Sequence, residues 1–225
     1  RQMCIRDRLT LDQAKVCTAL SEFEARQYMQ IFKIPKEKIA IIPNGIDLSL
    51  YVRLPPEGVF KSKYGIKEDR KVILYLGRIN KVKGIGFLIR SFSHLINKMK
   101  YDQAVLVIAG PDDGYLNEAR SLSRSLGIGD KVIFTGFLTE HDKLCAYVDS
   151  TVVVHPERFN VTLIAPLEAA ASGKPIIVSR GNYLSKIARE EGFGFSVSYG
   201  DVKGMAELLR QILSDQSLAK VMGNK

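Results

Sequence analysis

The sequence predicts an α/β protein built on a Rossmann-like, doubly wound parallel sheet. From Lys71 onward, six short apolar runs alternate with segments whose apolar residues recur at helical spacing. The runs are apolar throughout rather than alternating with polar residues, which is typical of strands buried on both faces of a parallel sheet. The predicted strands are 72–76, 104–109, 132–135, 152–155, 176–178 and 195–197.

Helices are predicted between and after these strands, and glycines mark several of their ends. Phe87, Leu88, Phe92 and Leu95 share one helical face, and Gly127 follows the last residue of a later helix. The predicted helices are 59–64, 83–99, 116–126, 140–148, 167–171, 185–190 and 202–215, with a further one from 218.

A shorter pattern precedes this alternation: a strand (15–20), a helix (21–32) and a strand (36–42). Ser21 and Glu24 have the spacing of a capping box, and Pro43-Asn44-Gly45 is a turn signal. So few elements do not make an independent domain. The sequence therefore predicts three parts: a non-native or disordered tail (1–8), the remnant of a preceding domain (9–44) and a larger domain truncated at its C-terminus (45–225).

The composition is that of an ordinary globular protein, with 46% hydrophobic residues and a net charge of +9. This charge suits a phosphorylated small molecule or an anionic membrane surface, whereas scattered basic residues without interleaved aromatics do not indicate nucleic acid. The three cysteines and three histidines lack metal-site spacing, and apolar neighbours around Cys17 and Cys145 indicate buried thiols in a reducing compartment. No run approaches the ~20 apolar residues of a membrane span.

The loop 77–84 follows the first of the six strands, at the edge where open α/β sheets bind ligands. It presents Arg78 and Lys83 near a predicted helix start, and two cations there suit a diphosphate. A solvated basic loop is the alternative interpretation. Gly84-Ile85-Gly86 is not a dinucleotide fingerprint, because position 89 is Ile rather than the third glycine.

Three further loops follow strands at the same edge. The loop 110–114 is small and acidic, and a plain turn with a helix cap explains it as well as a binding site does. In the loop 136–138, Phe137 could face a planar base or belong to the core. In the segment 158–168, Glu168 is predicted in the first turn of a helix, where it could bind hydroxyls or simply favour the helix dipole.

Several of these motifs together resemble the group-1 (family four) retaining glycosyltransferases. Order and spacing match from about Val16 to the C-terminus. The resemblance implies a GT-B fold, in which two Rossmann-like halves face each other across a cleft, with this chain supplying the donor-binding C-terminal half and the last piece of the acceptor-binding half. The matching residues are Pro43-Asn44-Gly45-Ile46-Asp47, Gly77-Arg78 with Lys83-Gly84, residues 132–137, and Pro166-Leu167-Glu168-Ala169 with residues 173–177.

The resemblance also implies roles for individual residues in binding the donor, a nucleotide sugar. Arg78 and Lys83, beside Gly77, match the basic pair on the diphosphate. Glu168 matches the second acid of an E-x7-E motif and takes the ribose hydroxyls. The segment that lies by the nucleobase is Gly136, Phe137 and Leu138.

Two positions depart from the family pattern where the donor sugar binds. Asn160 stands in place of the first acid, and Leu163, followed by Ile164, in place of a glycine. An amide still hydrogen-bonds hydroxyls but supplies no negative charge. The residues assigned a catalytic part are thus Arg78, Lys83 and Asn160, and a catalytically lapsed GT-B domain acting as a nucleotide-sugar binding or assembly module is the second hypothesis.

The expected function is retaining transfer of a sugar from a UDP-sugar or GDP-sugar to an acceptor hydroxyl. No metal or other cofactor is expected, because the two cations take its electrostatic role. The acceptor, a sugar, lipid or glycan, would bind in the missing half, so this fragment alone is expected to be inactive. A cytoplasmic location with peripheral contact at the inner membrane face is expected. A nucleotide-sugar epimerase and a dinucleotide-dependent oxidoreductase are further alternatives.

Overall fold

The computed structural model describes residues 10–157, 164–181 and 183–225. Contacts divide these residues into two compact units. The smaller one contains the residues up to Gly45 together with Ile164, and the larger one contains the rest from Ile46 onward. The smaller unit contains strand β1 (Cys17–Ala19), helix α1 (Glu22–Ile31) and strand β2 (Ile39–Ile41). The two strands are parallel, with Cys17 opposite Ile39. This is the strand–helix–strand order that the sequence predicts.

The start of α1 is stabilised by side chains, as the spacing of Ser21 and Glu24 predicts. The Ser21 hydroxyl accepts the Glu24 backbone N–H at 3.2 Å. The Glu24 carboxylate accepts the N–H of Leu20 at 2.6 Å, one residue before the position that the standard capping box uses. Two backbone donors at the helix entry are satisfied in this way.

The predicted strand 36–42 is wrong at its beginning. Lys36–Lys38 forms a 3₁₀ turn, and only Ile39–Ile41 pairs as a strand. The Lys38 N–H donates to the Pro35 carbonyl at 3.0 Å. A local i→i+3 bond here replaces the ladder bond that a longer strand would have made.

The larger unit is an alternation of strands and helices. Its strands are β3 (Lys71–Leu76), β4 (Ala104–Ala109), β5 (Val132–Gly136), β6 (Val152–His155), β7 (Ile176–Ser179) and β8 (Gly194–Val197). Its helices are α2 (Val59–Lys63), α3 (Ile85–Ser93), α4 (Leu116–Ser125), α5 (Glu140–Asp149), α6 (Ile164–Ala171), α7 (Tyr183–Glu190), α8 (Val202–Ser214) and α9 (Gln216–Gly223). Single 3₁₀ turns occur at Leu48–Tyr51, Lys81–Lys83 and Gly129–Lys131.

These strands form one parallel sheet with the order β5-β4-β3-β6-β7-β8. The chain moves outward from β3 through β4 to β5, then returns to pair β6 with the other side of β3. This reversal makes the β3–β6 boundary the topological switch point of the sheet. The predicted Rossmann-like, doubly wound α/β fold is confirmed.

Both faces of the sheet are buried, as the uninterrupted apolar runs predict. Ile73 and Tyr75 of β3 lie in one cluster with residues of α3, α4 and α8, while the alternate residues Val72 and Leu74 are equally buried on the other face. There α5 contacts β3, and α2 packs against α5. Each fully buried aliphatic side chain contributes roughly 1.5–3 kcal/mol, so the sheet centre is a rigid support for the loops at its edge.

The predicted helix 83–99 is wrong as one continuous helix. Gly84 has φ +72°, a left-handed conformation that ends the 3₁₀ turn before it and makes α3 begin at Ile85. The last turn, His94–Lys98, is a π-helical turn. A Cβ at position 84 would overlap the Pro156 carbonyl oxygen, so a glycine is required where the loop after β3 meets the end of β6.

Candidate functional site

The loops after β3, β4, β5 and β6 lie at one edge of the sheet, because the carboxyl ends of parallel strands share an edge. Their backbones touch. The Gly77 N–H donates to the Ala109 carbonyl at 2.9 Å, and the Gly110 N–H donates to the Gly136 carbonyl at 2.8 Å. A Cβ at Gly110 would overlap the Gly77 carbonyl oxygen. The glycines at strand ends therefore let three loops converge on one place.

Arg78 follows β3 directly and is exposed. Its Nη1 lies 2.8 Å from Asp113 Oδ2, and the side-chain exposures are 65% and 39%. The hydroxyl of the buried Tyr75 donates to the Arg78 carbonyl at 3.0 Å and holds the backbone of this residue. Since exposed ion pairs are weak, the guanidinium is available to an incoming anion.

Lys83 ends the 3₁₀ turn before α3, and it is better shielded than Arg78. Its Nζ lies 2.9 Å from Glu157 Oε2, with side-chain exposures of 21% for the lysine and 5% for the glutamate. Glu157 comes two residues after the end of β6, so this ion pair bridges the switch point of the sheet. Lys83 thus presents a fixed positive charge at the edge.

The position of Glu168 differs from the prediction. The sequence predicted a helix starting at Leu167, with Glu168 in its first turn, but α6 begins by Ile164 and Glu168 is its fifth described residue. Pro166 is the third described residue of the helix, and proline is tolerated in the first turn of a helix. The end of α6 is as predicted, with Gly173 in a left-handed conformation at φ +72°.

Glu168 is oriented by two residues of α5. Lys143 Nζ donates to Oε1 at 2.6 Å, and the Tyr147 hydroxyl donates to Oε2 at 2.8 Å. Burial, with the charge of Glu168 second, raises the pKa of Tyr147 well above its usual value, and the same two causes raise the pKa of Tyr51. The carboxylate is therefore fixed rather than solvated, which argues against the alternative that it serves only the helix dipole.

The acidic loop after β4 divides its two aspartates between two roles. Asp112 Oδ1 accepts the backbone N–H groups of Gly114, Tyr115 and Leu116, and the Leu116 hydrogen bond is the first cause that lowers the pKa of Asp112. Asp113 pairs with Arg78. Asp112 thus forms a turn and a helix cap, as one interpretation of the sequence had it. Asp113 instead belongs with Arg78 and Lys83 to what we call the basic cluster.

The loop after β5 contains Phe137, which the sequence left as either a core residue or a residue that faces a planar base. Its side chain is 76% exposed and does not belong to the core, whereas the next residue, Leu138, is buried. Gly136 has φ +74°, a conformation that turns the chain sharply at the end of the strand. An exposed aromatic ring beside convergent loop backbone can stack on a planar group.

Two of the predicted site residues, Asn160 and Leu163, lie outside the described residues. Ile164 is the first described residue of α6, and 47% of it is exposed. The structure does place Gly77, Arg78, Lys83, the 136–138 segment and Glu168 on loops or helices that follow strands at one edge.

Three residues of this site escaped the sequence analysis: Lys143, Tyr147 and Glu157. Lys143 and Tyr147 are four positions apart on a helix that the sequence did predict, so they share a face, and this spacing was a usable signal. Glu157 belongs to none of the motifs that carry the family resemblance. Its partner Lys83 is 74 positions away, and no local pattern joins the two.

Among the described residues, no group of three or more His, Cys, Asp or Glu side chains is arranged to hold a metal ion. In that same part of the chain, no helix combines the length and the apolar character needed to cross a membrane. What the edge of the sheet does offer is two cations, a fixed carboxylate and an exposed aromatic ring. Such a set can bind an anion, hydroxyls and a planar ring together.

Two family models match the chain. Residues 58–225 match the model described as "Glycosyl transferases group 1", and residues 4–50 match "Glycosyltransferase Family 4". The first of these matches covers most of the chain, including every strand of the six-stranded sheet.

Curated relatives carry glycosyltransferase names. An uncharacterized glycosyltransferase of Methanocaldococcus jannaschii is 30% identical over 220 residues, which are 96% of this chain and 55% of the relative. Alpha-monoglucosyldiacylglycerol synthase of Streptococcus pneumoniae is 30% identical over 180 residues, 78% of this chain and 40% of the relative. The chain thus spans about half the length of the curated relatives it matches.

A solved structure shows the same fold. HepE of Anabaena, in complex with UDP and glucose, superimposes with a TM-score of 0.82 at 20% identity, covering 97% of this chain and 59% of that one. The chain thus has the fold of somewhat more than half of that structure over nearly its whole length.

Proposed function

Because the chain belongs to the group 1 glycosyl transferases, we propose that its larger unit binds a nucleoside-diphosphate sugar. In the whole protein the sugar is transferred, with retention of configuration, to an acceptor hydroxyl. The observation that carries the proposal is the pair of cations, Arg78 and Lys83, on the loop beside the topological switch point.

Arg78 and Lys83 bind the diphosphate. Arginine offers a planar fork of donors, and lysine offers a compact charge. In the reaction, negative charge develops on the leaving diphosphate as the bond to the sugar breaks. Two fixed cations stabilise that charge, so the transfer proceeds without a metal ion.

Glu168 binds the ribose. A carboxylate is an acceptor only, and two ribose hydroxyls can both donate to it. Lys143 and Tyr147 fix its orientation before the ligand arrives, which reduces the ordering cost of binding. Gly136, Phe137 and Leu138 form the wall for the base, on which the exposed Phe137 ring stacks. The neighbour solved with UDP supports uracil as the first base to test.

The sugar acceptor is bound by the part of the protein that precedes this chain in the family. One relative is named for glycosylating a diacylglycerol, which supports a sugar, lipid or glycan acceptor and contact at the inner membrane face from the cytoplasm. The net charge of +9 favours an anionic surface. Asn160 and Leu163 interact with the donor sugar, through the Asn160 amide and the backbone around Leu163.

A second candidate function is supported by those same two residues. With Asn160 in place of an acid and Leu163 in place of a glycine, the domain could bind a nucleotide sugar without transferring it. Turnover by a protein that carries both halves decides between the two functions.

The proposal is tested by a thermal-shift panel of UDP, GDP and ADP on the 225-residue chain, each with Mg²⁺ and with EDTA. A ligand that binds only the folded state stabilises it by RT ln(1 + [L]/Kd), so millimolar ligand reveals even weak binding. We expect one nucleoside diphosphate to raise the melting temperature equally under both conditions. A shift that vanishes in EDTA would contradict the metal-free site, and no shift with any nucleotide would contradict donor binding.

A further inference from the structure

Glu157 places a buried negative charge beside a site that binds an anion. Only 5% of its side chain is exposed, and it pairs with Lys83 Nζ at 2.9 Å. Its other oxygen lies 3.7 Å from His155 Nδ1. Among the described residues neither ring nitrogen of His155 has a hydrogen-bond partner. Lys83 is therefore the close charged partner of this carboxylate.

The second acid of the basic cluster is placed differently. Asp113, beside Arg78, is 39% exposed, so solvent and salt screen its charge. Glu157 is shielded from solvent, and its charge acts over a longer distance. The negative charge of Glu157 also acts on Tyr75. Burial is the first cause that raises the pKa of Tyr75, and the charge of Glu157 is the second. The Tyr75 hydroxyl donates to the Arg78 carbonyl and so holds the backbone of that residue.

A phosphate oxygen bound to Lys83 comes close to Glu157. An ammonium that donates to both at normal hydrogen-bond lengths holds the two anions about 5–6 Å apart. At that separation and an effective dielectric constant of about 20, repulsion by Glu157 weakens binding roughly a hundredfold for each added unit of negative charge on the ligand. The site therefore distinguishes ligands by charge as well as by shape.

The donor and its product differ in this charge. In a nucleotide sugar the terminal phosphate is bonded to both the sugar and the other phosphate and has one negative charge, whereas in the free nucleoside diphosphate it carries a second acidic group with a pKa of about 6. The free nucleoside diphosphate thus bears nearly one more negative charge at neutral pH.

We propose that Glu157 is a specificity-determining residue that favours the sugar-linked diphosphate over the free nucleoside diphosphate. It does so by setting a buried negative charge behind Lys83, and it thereby promotes release of the product after transfer. The inference rests on the proposed function, since it requires that Arg78 and Lys83 bind the diphosphate. Glu157 acts through its charge and does not touch the substrate.

The test measures calorimetric dissociation constants of UDP and UDP-glucose, with GDP and GDP-mannose in parallel, for the wild type and Glu157→Gln. Glutamine keeps an oxygen that accepts from Lys83 and removes only the charge. The ratio Kd(UDP)/Kd(UDP-glucose) is expected to fall about ten- to a hundredfold in the variant, because UDP gains more than UDP-glucose and solvent screens part of the repulsion. A change in structure alone would weaken both ligands and leave the ratio unaltered.

The matched control is Asp102→Asn. Asp102 pairs with Lys131 at 2.7 Å and precedes β4, at the opposite edge of the same sheet. The Asp102→Asn substitution removes an equal charge from a lysine pair in which the carboxylate is 71% exposed. Its ratio should stay within about twofold of the wild type, since the distance exceeds a Debye length of ~10 Å.

A second measurement separates the effect of charge from contacts to the sugar. The β-methyl ester of UDP has the charge of the donor and no sugar, and the ratio Kd(UDP)/Kd(ester) should also fall in Glu157→Gln, because only free UDP carries the extra charge that Glu157 repels. The inference is overturned if Glu157→Gln leaves either ratio unchanged while the ligands bind. If the wild type binds none of these nucleotides, the proposed function fails, and the inference fails with it.

Discussion

Glu168 accepts hydrogen bonds from Lys143 and Tyr147, and Lys83 is held by Glu157. The sequence could assign Glu168 and Lys83 because each lies in a motif of fixed spacing. It could not assign their partners, since those contacts join residues 21 to 74 positions apart and depend on the strand order. The sequence also does not show which of two neighbouring apolar residues is exposed. Phe137 is exposed and Leu138 is buried, and no local pattern distinguishes them.

At this scale the ribose assignment makes a prediction. Glu168→Gln should weaken UDP binding about ten- to a hundredfold, because a hydrogen bond to a charged group contributes about 1.5–3 kcal/mol. Binding of 2′,3′-dideoxy-UDP, which lacks both hydroxyls, should change little. Calorimetry of the two ligands measures the difference.

The control for this substitution is Glu118→Gln, a like change at an exposed position of α4. It should leave both dissociation constants near those of the wild type. An equal loss for UDP and its dideoxy analogue in Glu168→Gln would show that the carboxylate does not bind the ribose.

The elements of the larger unit follow closely from the sequence. Its strands agree to within one residue at each end, because a run buried on both faces of a sheet must be apolar throughout. Across both units, errors of two or three residues fall at the starts of several predicted segments, among them 36–42, 83–99 and 167–171. There a local turn, a left-handed glycine and an early proline set the boundary, and hydrophobic periodicity carries no information about them.

Gly84, the left-handed glycine before α3, gives a prediction about the stability of the fold. Gly84→Ala should destabilise the fold by about 2–4 kcal/mol, because it combines backbone strain of about 1–2 kcal/mol with overlap against the Pro156 carbonyl. Gly114→Ala is the matched control: Gly114 also has a positive φ, +84°, but open space surrounds its Cβ position. The Gly114→Ala variant should be destabilised by the backbone strain alone, about 1–2 kcal/mol.

The two glycine variants are compared by their urea unfolding midpoints, with the slope of the unfolding free energy against urea concentration unchanged. Equal losses would show that the contact between the loop after β3 and the end of β6 does not constrain position 84.

The topology of the larger unit agrees with the pattern of apolar residues in the sequence. Alternating apolar strands and helices predict a parallel doubly wound sheet, and the structure has one with its switch point between β3 and β6. The ligand edge follows from that topology alone. The ligand does not, because several cofactor classes bind at such an edge.

The choice among those classes yields a prediction for the whole fold. The loop after β3 lacks the third glycine of a dinucleotide fingerprint, since Ile89 takes its place. NAD should therefore give no thermal shift at a concentration where a nucleoside diphosphate gives one. A comparable shift with NAD would favour a dinucleotide-dependent oxidoreductase instead.

The central claim is that Arg78 and Lys83 together bind the donor diphosphate, and calorimetry of UDP or GDP binding to alanine variants tests it most directly. Lys81→Ala is the control, since Lys81 has the same charge on the same 3₁₀ turn and is exposed. We expect Arg78→Ala and Lys83→Ala each to weaken binding about tenfold or more, the double variant further, and Lys81→Ala by no more than about twofold. Wild-type affinity in the double variant would contradict the account.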